Sequence, residues 1–561
     1  MLNNYSELKT LLENRKNNSI TLKEIIHEIS TQNLTNVDIA NSINFILSEK
    51  DKTDEDITCL FSKFNHIKIA NFSLPIYILH NNKKFNFNLS TEQIINILEK
   101  IKTPTQKTYP LKIIKFILKN NKNKNYNLQP KQIMGILEKT NLSAQDRQGL
   151  TPFMILIQHN KTQNLNLSPN QIMSLVGKTD LSIQDHNKLT TPMYLLTHNK
   201  KQNLNLSQNQ IMEIIEKSNI STQDQYGWDL SMILIKNNNY QNLDLSPEQI
   251  MSVIEKTDLS IEDQDGWNLT MDIINNNMDE NLNLSPNQIM SILEKSDLSK
   301  QNSEGLTLPM FLAIFNKDQN LNLSPNQLMS IFDKADLSLQ NNNKKNLPMF
   351  LINNNKEQNL NLSPEQIMKI IEKTDLSTQD HYGATLPMYA LANNKTQKLN
   401  LSQEQIIKII EKSDPILEDT SGIRLDLYLL ANNRNQNLNF STSQIMSILE
   451  KMTNYYSIKA TKFILKNNKK QNFNFQPEQI ISIMKKINPD TLNDSIIKTF
   501  FSKLGNQFEM TENQIYEISK ILSKTKTMSI ENKTTINTIL LHHQIETSTS
   551  QKNNRQIIFK L

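Results

Sequence analysis

Apolar residues recur along this chain in a fixed order and at a fixed interval. After Ser168-Pro169, apolar residues stand at Ile172, Met173, Leu175 and Val176, which is one face of an amphipathic helix. The polar residues around them supply the ends of that helix. Ser168 reads as the N-cap, Pro169 as the first helical residue, and Gln171 as the third, able to reach back to the cap amide. Lys178 then brings a cation to the C-terminal end. The position of Ser168 returns at Ser90, Gln129, Ser207, Ser246, Ser285, Ser324, Ser363, Ser402 and Ser441, always 39 residues apart, and Gln476 follows after 35. Weaker copies start near Thr21, Thr53 and Thr511, which makes about 14 units with the irregular ones at the two ends. Stacked arrays need such ends, because a terminal unit must show one polar face.

The rest of the unit can be read in the same way. A segment such as Thr179–Asp185 alternates with period two. A turn follows, as in Asp146–Gly149, Asp224–Gly227, Asp263–Gly266 and Asp380–Gly383. Then comes another helix, opened by Thr151-Pro152. It carries Met at one place in each unit (Met154, Met193, Met232, Met271, Met310, Met349, Met388), where flanking Leu and Ile predict core. That helix ends on Asn (Asn160, Asn199, Asn238), which predicts a left-handed cap in a chain with only 9 glycines. Asn164-Leu-Asn-Leu167 is predicted to be an extended connector. Its leucines would face the core, and its asparagines either water or an amide ladder. The expected fold is therefore all-α: an α-solenoid of helix-turn-helix repeats with short extended connectors. The predicted organisation is degenerate repeats or a cap at 1–85, a regular solenoid at 86–486, a helical cap at 487–545 and a flexible tail at 546–561.

Asp146-Arg-Gln-Gly-Leu-Thr-Pro152 resembles an ankyrin repeat, in which a hairpin ending D-x-x-G leads into a helix opened by T-P-L-H. The order of parts is similar too: Thr-Pro helix, loop, second helix, hairpin. Ankyrin units run to about 33 residues, so the excess here would lie between the two helices, in the Asn-Leu-Asn-Leu region. The resemblance, clearest over 130–430, implies a scaffold that binds a protein through hairpin tips and the first-helix face. A second stretch, Leu362-Ser-Pro-Glu-Gln-Ile-Met368, is similar to the start of the repeats in TAL-effector DNA-binding proteins. That likeness implies the alternative, nucleic acid bound along the solenoid, although the glycine pair of the base-reading loop has no counterpart.

Composition narrows the choice. Hydrophobic residues make up 37% of the chain, and the net charge of +5 is small for its length, so it does not by itself imply nucleic acid. Lys100, Lys139 and Lys178 begin a column of lysines along the array, but acidic neighbours such as Glu99 and Glu138 should cancel it. Cys59 is the only cysteine, which excludes a disulfide framework and a cysteine-rich metal site; it reads as a buried apolar-helix residue. The nine histidines do not cluster; His80, His159 and His198 read as helix-end residues and the adjacent His542-His543 has no ligand spacing. Neither a phosphate loop, a dinucleotide fingerprint nor a nucleophile elbow is present, so no enzyme activity, cofactor or metal is expected. The start carries no Sec-type signal and no membrane span is expected. The heavy use of Asn, Lys and Ile suits an AT-rich genome. If the source is an intracellular bacterium, the protein is expected to stay cytoplasmic or to act as an effector in a host cell, delivered without a Sec signal.

Variation inside the repeat marks the candidate site. Scaffold positions recur almost unchanged, whereas the turns differ: Arg147 and Gln148, His186 and Asn187, Gln225 and Tyr226, Gln264 and Asp265, His381 and Tyr382. Trp228 and Trp267, the only tryptophans, stand just after two successive turns. They suit an aromatic anchor for a protein partner, or else fill the core where other units have Leu150 or Leu306.

Overall fold

The computed structural model describes Thr10 and residues 20–548, without 33, 65–67, 70–71, 102–110, 453–457, 472, 488–493, 496, 500, 502–509 and 526–527. The chain divides into two compact units, residues 1–264 with 276–283, and 265–275 with 284–561. In each, a first helix opened near Thr-Pro and a second helix opened by Ser-Pro alternate, and each repeat stacks on the next as an α-solenoid. In the first unit the helices Pro152–His159, Thr191–His198 and Leu230–Ile235 pack in succession. In the second unit the same holds for Leu308–Phe315, Leu347–Asn354, Leu386–Asn393 and Leu425–Asn432. Among the described residues the single named strand pair is two residues long, Lys68–Ile69 with Phe72–Ser73.

Local sequence accounts for the helix ends. Ser168 accepts from the Gln171 amide while the Gln171 side chain receives the Ser168 amide at 2.9 Å, and the same box closes at Ser207, Ser285, Ser363 and Ser402. Thr21 and Thr511 cap the irregular terminal copies with the same geometry, through Glu24 and Gln514. The second helix buries Ile172, Leu175 and Val176, while the first helix is buried over Phe153–Ile157. The methionine column lies wholly inside: Met154, Met193, Met232, Met271, Met310 and Met349 expose 0%. At about 1.5–3 kcal/mol for each large apolar side chain withdrawn from water, stacking of these two faces dominates the stability. Cys59 is half-buried rather than enclosed. The last helix runs Ile530–Ser548, three residues beyond the boundary expected at 545, and residues 549–561 of the expected tail lie outside the described residues.

Two expectations about the connector are corrected. The first helix does not end in a left-handed Asn: Asn160 has φ −51° and ψ −52°, continuing the right-handed turn. The left-handed residues are Asn164 (φ 52°) and Asn166 (φ 48°), and equivalent pairs occur at Asn203 and Asn205, Asn320 and Asn322, Asn359 and Asn361. The segment is therefore a coiled loop and not an extended strand. Burial still alternates, with Leu165 and Leu167 inside and Asn164 and Asn166 in water, because alternating left-handed and other backbone also turns side chains with period two. Asn is the L-residue that tolerates this conformation best.

The amide ladder exists one step upstream, on the buried Asn column. The Asn160 side chain accepts from the Leu167 amide at 2.9 Å and donates to the Gln202 carbonyl of the next repeat at 3.2 Å. Asn121 and Asn199 reach Gln163 and Gln241 in the same way at 3.3 and 3.2 Å. A Gln column returns the contact: the side-chain oxygens of Gln163, Gln202 and Gln241 accept from the amides of Asn123, Lys161 and Lys201 in the preceding repeat. Each loop is thus pinned to the next by side chains that satisfy buried backbone groups.

Candidate functional site

The alternating segment before the first helix does not become a strand. It forms turns whose only ladder contacts are single bridges such as Gln184 with Thr190 and Gln379 with Thr385. The turns are held from within by an Asp, or by Asn302 and Asn341 at the same place. Asp146 Oδ1 accepts from the Gln148 and Leu150 amides at 2.8 and 2.9 Å, and Asp380 repeats this with Tyr382 and Ala384. Gln145 donates to Gly149 within the turn and to the Gln184 carbonyl of the next repeat at 2.7 Å. Burial opposes the charge of Asp146, but the Lys115 ammonium and the two turn amides outweigh it and hold the carboxyl below its ordinary value.

Consecutive turns are joined by backbone. In the first unit the His186 amide donates to Gln148 at 3.0 Å, Gln225 to Asn187 at 2.9 Å and Gln264 to Tyr226 at 3.0 Å. Arg147, Gln148, His186, Asn187, Gln225, Tyr226 and Gln264 therefore form one continuous exposed row. In the second unit Asp265 accepts from Ser303, His381 donates to Asn343, and Tyr382 accepts from Thr420. His381 and Tyr382 meet edge to face with centroids 5.6 Å apart. Tyr226 and Tyr382 are 56% and 64% exposed, unusually open for tyrosine side chains.

The tryptophans are neither enclosed core nor open anchors; both are half-buried. The Trp228 indole N–H donates to Asp263 Oδ2 at 3.0 Å in the following turn, and the Lys236 ammonium lies 3.9 Å from the ring centroid. Trp267 packs edge to face on Phe311 at 5.1 Å. Leu150 and Leu306 at the same place in other units are buried, whereas an indole is too long to fit and leans onto the next repeat.

Sequence reading missed a second column, which starts inside the first helix. Stepping 39 residues from Tyr194 reaches Phe311, Phe350, Tyr389 and Tyr428. The hydroxyls of Tyr194, Tyr389 and Tyr428 donate to the second oxygen of their own turn's Asp at 2.8, 2.7 and 3.1 Å. Burial and that carboxylate push the Tyr428 hydroxyl up to about 12. The signal was available as an aromatic at constant register, but Ile155, Ile233 and Asp272 interrupt it.

The lysine column at the end of the second helix is neutralised mostly between repeats, although Lys217 pairs with Glu213 of its own helix at 2.6 Å. Lys139 pairs with Glu99 at 2.6 Å, Lys178 with Glu138 at 3.3 Å and Lys412 with Glu372 at 3.7 Å. These pairs are exposed and contribute at most about 1 kcal/mol each. Among the described residues no three His, Cys, Asp or Glu side chains converge as metal ligands do. Among the same residues no helix is long and apolar enough to cross a membrane.

His159 and His198 end their helices half-buried. Burial first, and then Lys119 for His159, lowers the pKa below its ordinary value. For His198, burial and Lys201 outweigh a contact with the Tyr194 carbonyl. With the folded pKa depressed, the neutral form contributes stability above the ordinary value of about 6.5. That contribution is lost as pH falls through 6.5 toward the folded pKa. The urea midpoint is expected to fall between pH 7.5 and 5.5, and to fall less in a His159→Asn/His198→Asn variant. Asn occupies that place at Asn120 and Asn237. An equal drop in both proteins would refute the assignment.

The order of turn, first helix, pinned loop and second helix, with each turn bonded to the next, is now complete. The repeat is ankyrin-like. No protein-family model and no curated protein matches the chain. Similar solved structures include EF0377, an ankyrin repeat protein, at 11% identity and a TM-score of 0.28, covering 41% of this chain and 100% of that one. The ankyrin repeat domain of Bcl-3, of the IkappaB family, is similar at 11% identity and 0.27, over 42% of this chain and 92% of that one. A chain from the complex of the predatory endopeptidase Bd0816 of Bdellovibrio bacteriovorus with immunity protein Bd3460 reaches 16% and 0.26, over 41% of this chain and 100% of that one. The loop between the two helices of this 39-residue unit holds two left-handed residues and the buried Asn.

Proposed function

We propose that this ankyrin-like array is a non-enzymatic scaffold that binds a protein partner through its exposed turn row. One observation carries the reading. The turns are held by their Asp or Asn, their backbone and the Gln that bridges to the next repeat, so the tip residues can differ from unit to unit without loss of these bonds. In the first unit Arg147, Gln148, His186, Asn187, Gln225, Tyr226 and Gln264 supply the contacts, and in the second unit Asp265, His381 and Tyr382 do so. The tyrosines, as amphipathic side chains with few rotatable bonds, supply most of the affinity. Trp228 and Trp267 border the row and support the turns. Nucleic acid is the less favoured partner, because lysines of the second-helix column are paired with acid and the chain's net charge is only +5. On composition, the reading extends to an effector-like role inside a host cell.

The test replaces Arg147, Gln148, His186, Asn187, Gln225 and Tyr226 together by Ser and compares affinity purifications with the wild type. Circular dichroism should be unchanged, and the partner's affinity should fall tenfold or more. Retention of the same proteins at the same level would remove the turn row from the function.

A further inference from the structure

The loops after the first helix carry a second lysine column with different surroundings. Lys83, Lys122, Lys161 and Lys200 stand 39 residues apart, and all four are exposed. The loop segments 80–85, 119–124, 158–163 and 197–202 contain no Asp or Glu, and they add Lys84, Lys119, Lys124 and Lys201. The Lys139 and Lys178 column has a glutamate placed for it at each step; this one has none in its own loops. Its register is fixed, because the Asn and Gln columns bond each of these loops to the next. Asn82 reaches the Lys124 carbonyl at 2.9 Å, Asn121 the Gln163 carbonyl at 3.3 Å and Asn160 the Gln202 carbonyl at 3.2 Å. The field is felt locally: after burial, Lys124 and Lys84 lower the pKa of His80, and Lys119 and Lys201 do the same for His159 and His198. The equivalent column of the second unit is different, since Lys317 and Lys356 are followed directly by Asp318 and Glu357.

We propose that Lys83, Lys122, Lys161 and Lys200 form a cationic ridge that binds an extended acidic segment of the protein partner. The proposal rests on the scaffold reading above and names the partner's chemistry. Packed helices in successive repeats are about 10 Å apart, and three residues of a polyproline-II extended chain cover about 9 Å and return every third side chain to the same face. Acidic side chains at every third position therefore meet successive lysines in register. Nucleic acid fits less well. In the four loop segments Phe85, half-buried, is the one Phe, Tyr or Trp that could stack on a base, and the whole chain's net charge of +5 makes no broad basic field.

The probe is a fluorescein-labelled 12-residue peptide with Glu at every third position in a Ser background, titrated with the full chain and read by anisotropy. Its controls are the same peptide with Gln for Glu and a single-stranded DNA 24-mer. The Glu peptide is expected to bind, to weaken at least tenfold between 50 and 300 mM salt, and to exceed the Gln peptide tenfold. Lys83→Glu/Lys122→Glu/Lys161→Glu/Lys200→Glu should lose tenfold or more at unchanged circular dichroism. If it misfolds, the Lys→Gln version of the same four sites takes its place. Lys317→Glu/Lys356→Glu/Lys395→Glu should stay within twofold of wild type. Equal binding by wild type and ridge variant, or tighter binding of the DNA than of the peptide at 0.15 M salt, overturns the ridge. If the peptide fails while the turn-tip variant still loses its captured partner, the scaffold reading survives and only the ridge falls. If the peptide binds while the turn-tip variant loses nothing, the ridge stands and the turn row is excluded.

Discussion

Replacing Asn199 by Ala is expected to open the array locally at a cost of about 3–5 kcal/mol, more than any surface substitution in the repeat. Asn199 is 2% exposed, and its side chain completes three backbone groups. It accepts from the Leu206 amide at 2.9 Å and donates to the carbonyls of Gln241 and Asn242, each at 3.2 Å. Ala supplies none of these bonds, and each buried group left without a partner costs about 1–3 kcal/mol. Two of the three lie in the following repeat, so the substitution weakens a junction as well as a loop. A repeat array opens through its nearest-neighbour junctions. Native-state hydrogen exchange should therefore show faster exchange at residues 203–207 and 241–246, with distant repeats unaffected. Asn205→Ala is the comparison. Asn205 is exposed with φ 51°, so Ala there costs only the left-handed penalty of about 1–2 kcal/mol, and Asn205→Gly costs nothing. If Asn199→Ala and Asn205→Ala exchange alike, the buried ladder does not hold the repeats together.

Gly149→Ala is expected to cost about 3 kcal/mol, for reasons of shape and not of hydrogen bonding. Gly149 has φ +78°, and a Cβ placed there would lie 2.8 Å from the Cα of Asp185 and 2.8 Å from the amide nitrogen of His186. Both are backbone of the next turn, so neither can swing aside. The substitution pushes apart the turns that the His186 to Gln148 bond joins. Gly135→Ala is the control: it sits in the helix Pro130–Glu138 with no heavy atom within 4 Å, and should gain up to about 1 kcal/mol. Lys188 occupies the Gly149 place one repeat on with φ 60°, so Lys188→Gly should stabilise by about 1 kcal/mol. Thermal melts of the three variants decide the matter, and a Gly149→Ala melt matching wild type would show that the turns are not closely stacked.

The candidate site was legible only in part. Variation at fixed register picked out Arg147, His186, Tyr226 and Tyr382, and the structure places them on exposed tips because a recurrent Asp or Asn, Gln or Glu, and Gly or Lys carry the turn. The tryptophans could not be placed from sequence. An indole at the turn exit can point inward like Leu150 or lean on the next repeat, and Asp263 and Phe311 decide in favour of leaning. The partner of each second-helix lysine was not legible either: Lys139 pairs with Glu99, 40 residues away, which comes within reach only when repeats stack.

By itself the sequence determined the unit: its period, its two helices, the Ser-Pro-x-Gln caps and the buried methionine column. Each depends on residues within a few positions of one another, and capping and amphipathic spacing are local physics. Only the tertiary structure decided what the asparagines do. Alternating burial at Asn164-Leu-Asn-Leu167 is shared by a strand and by a coil with two left-handed residues, so periodicity could not separate them. What selects the coil is a buried Asn160 that needs the Leu167 amide in its own loop and the Gln202 carbonyl 42 residues on. That second partner exists only once repeats stack, so the ladder is a property of the array and not of any one repeat.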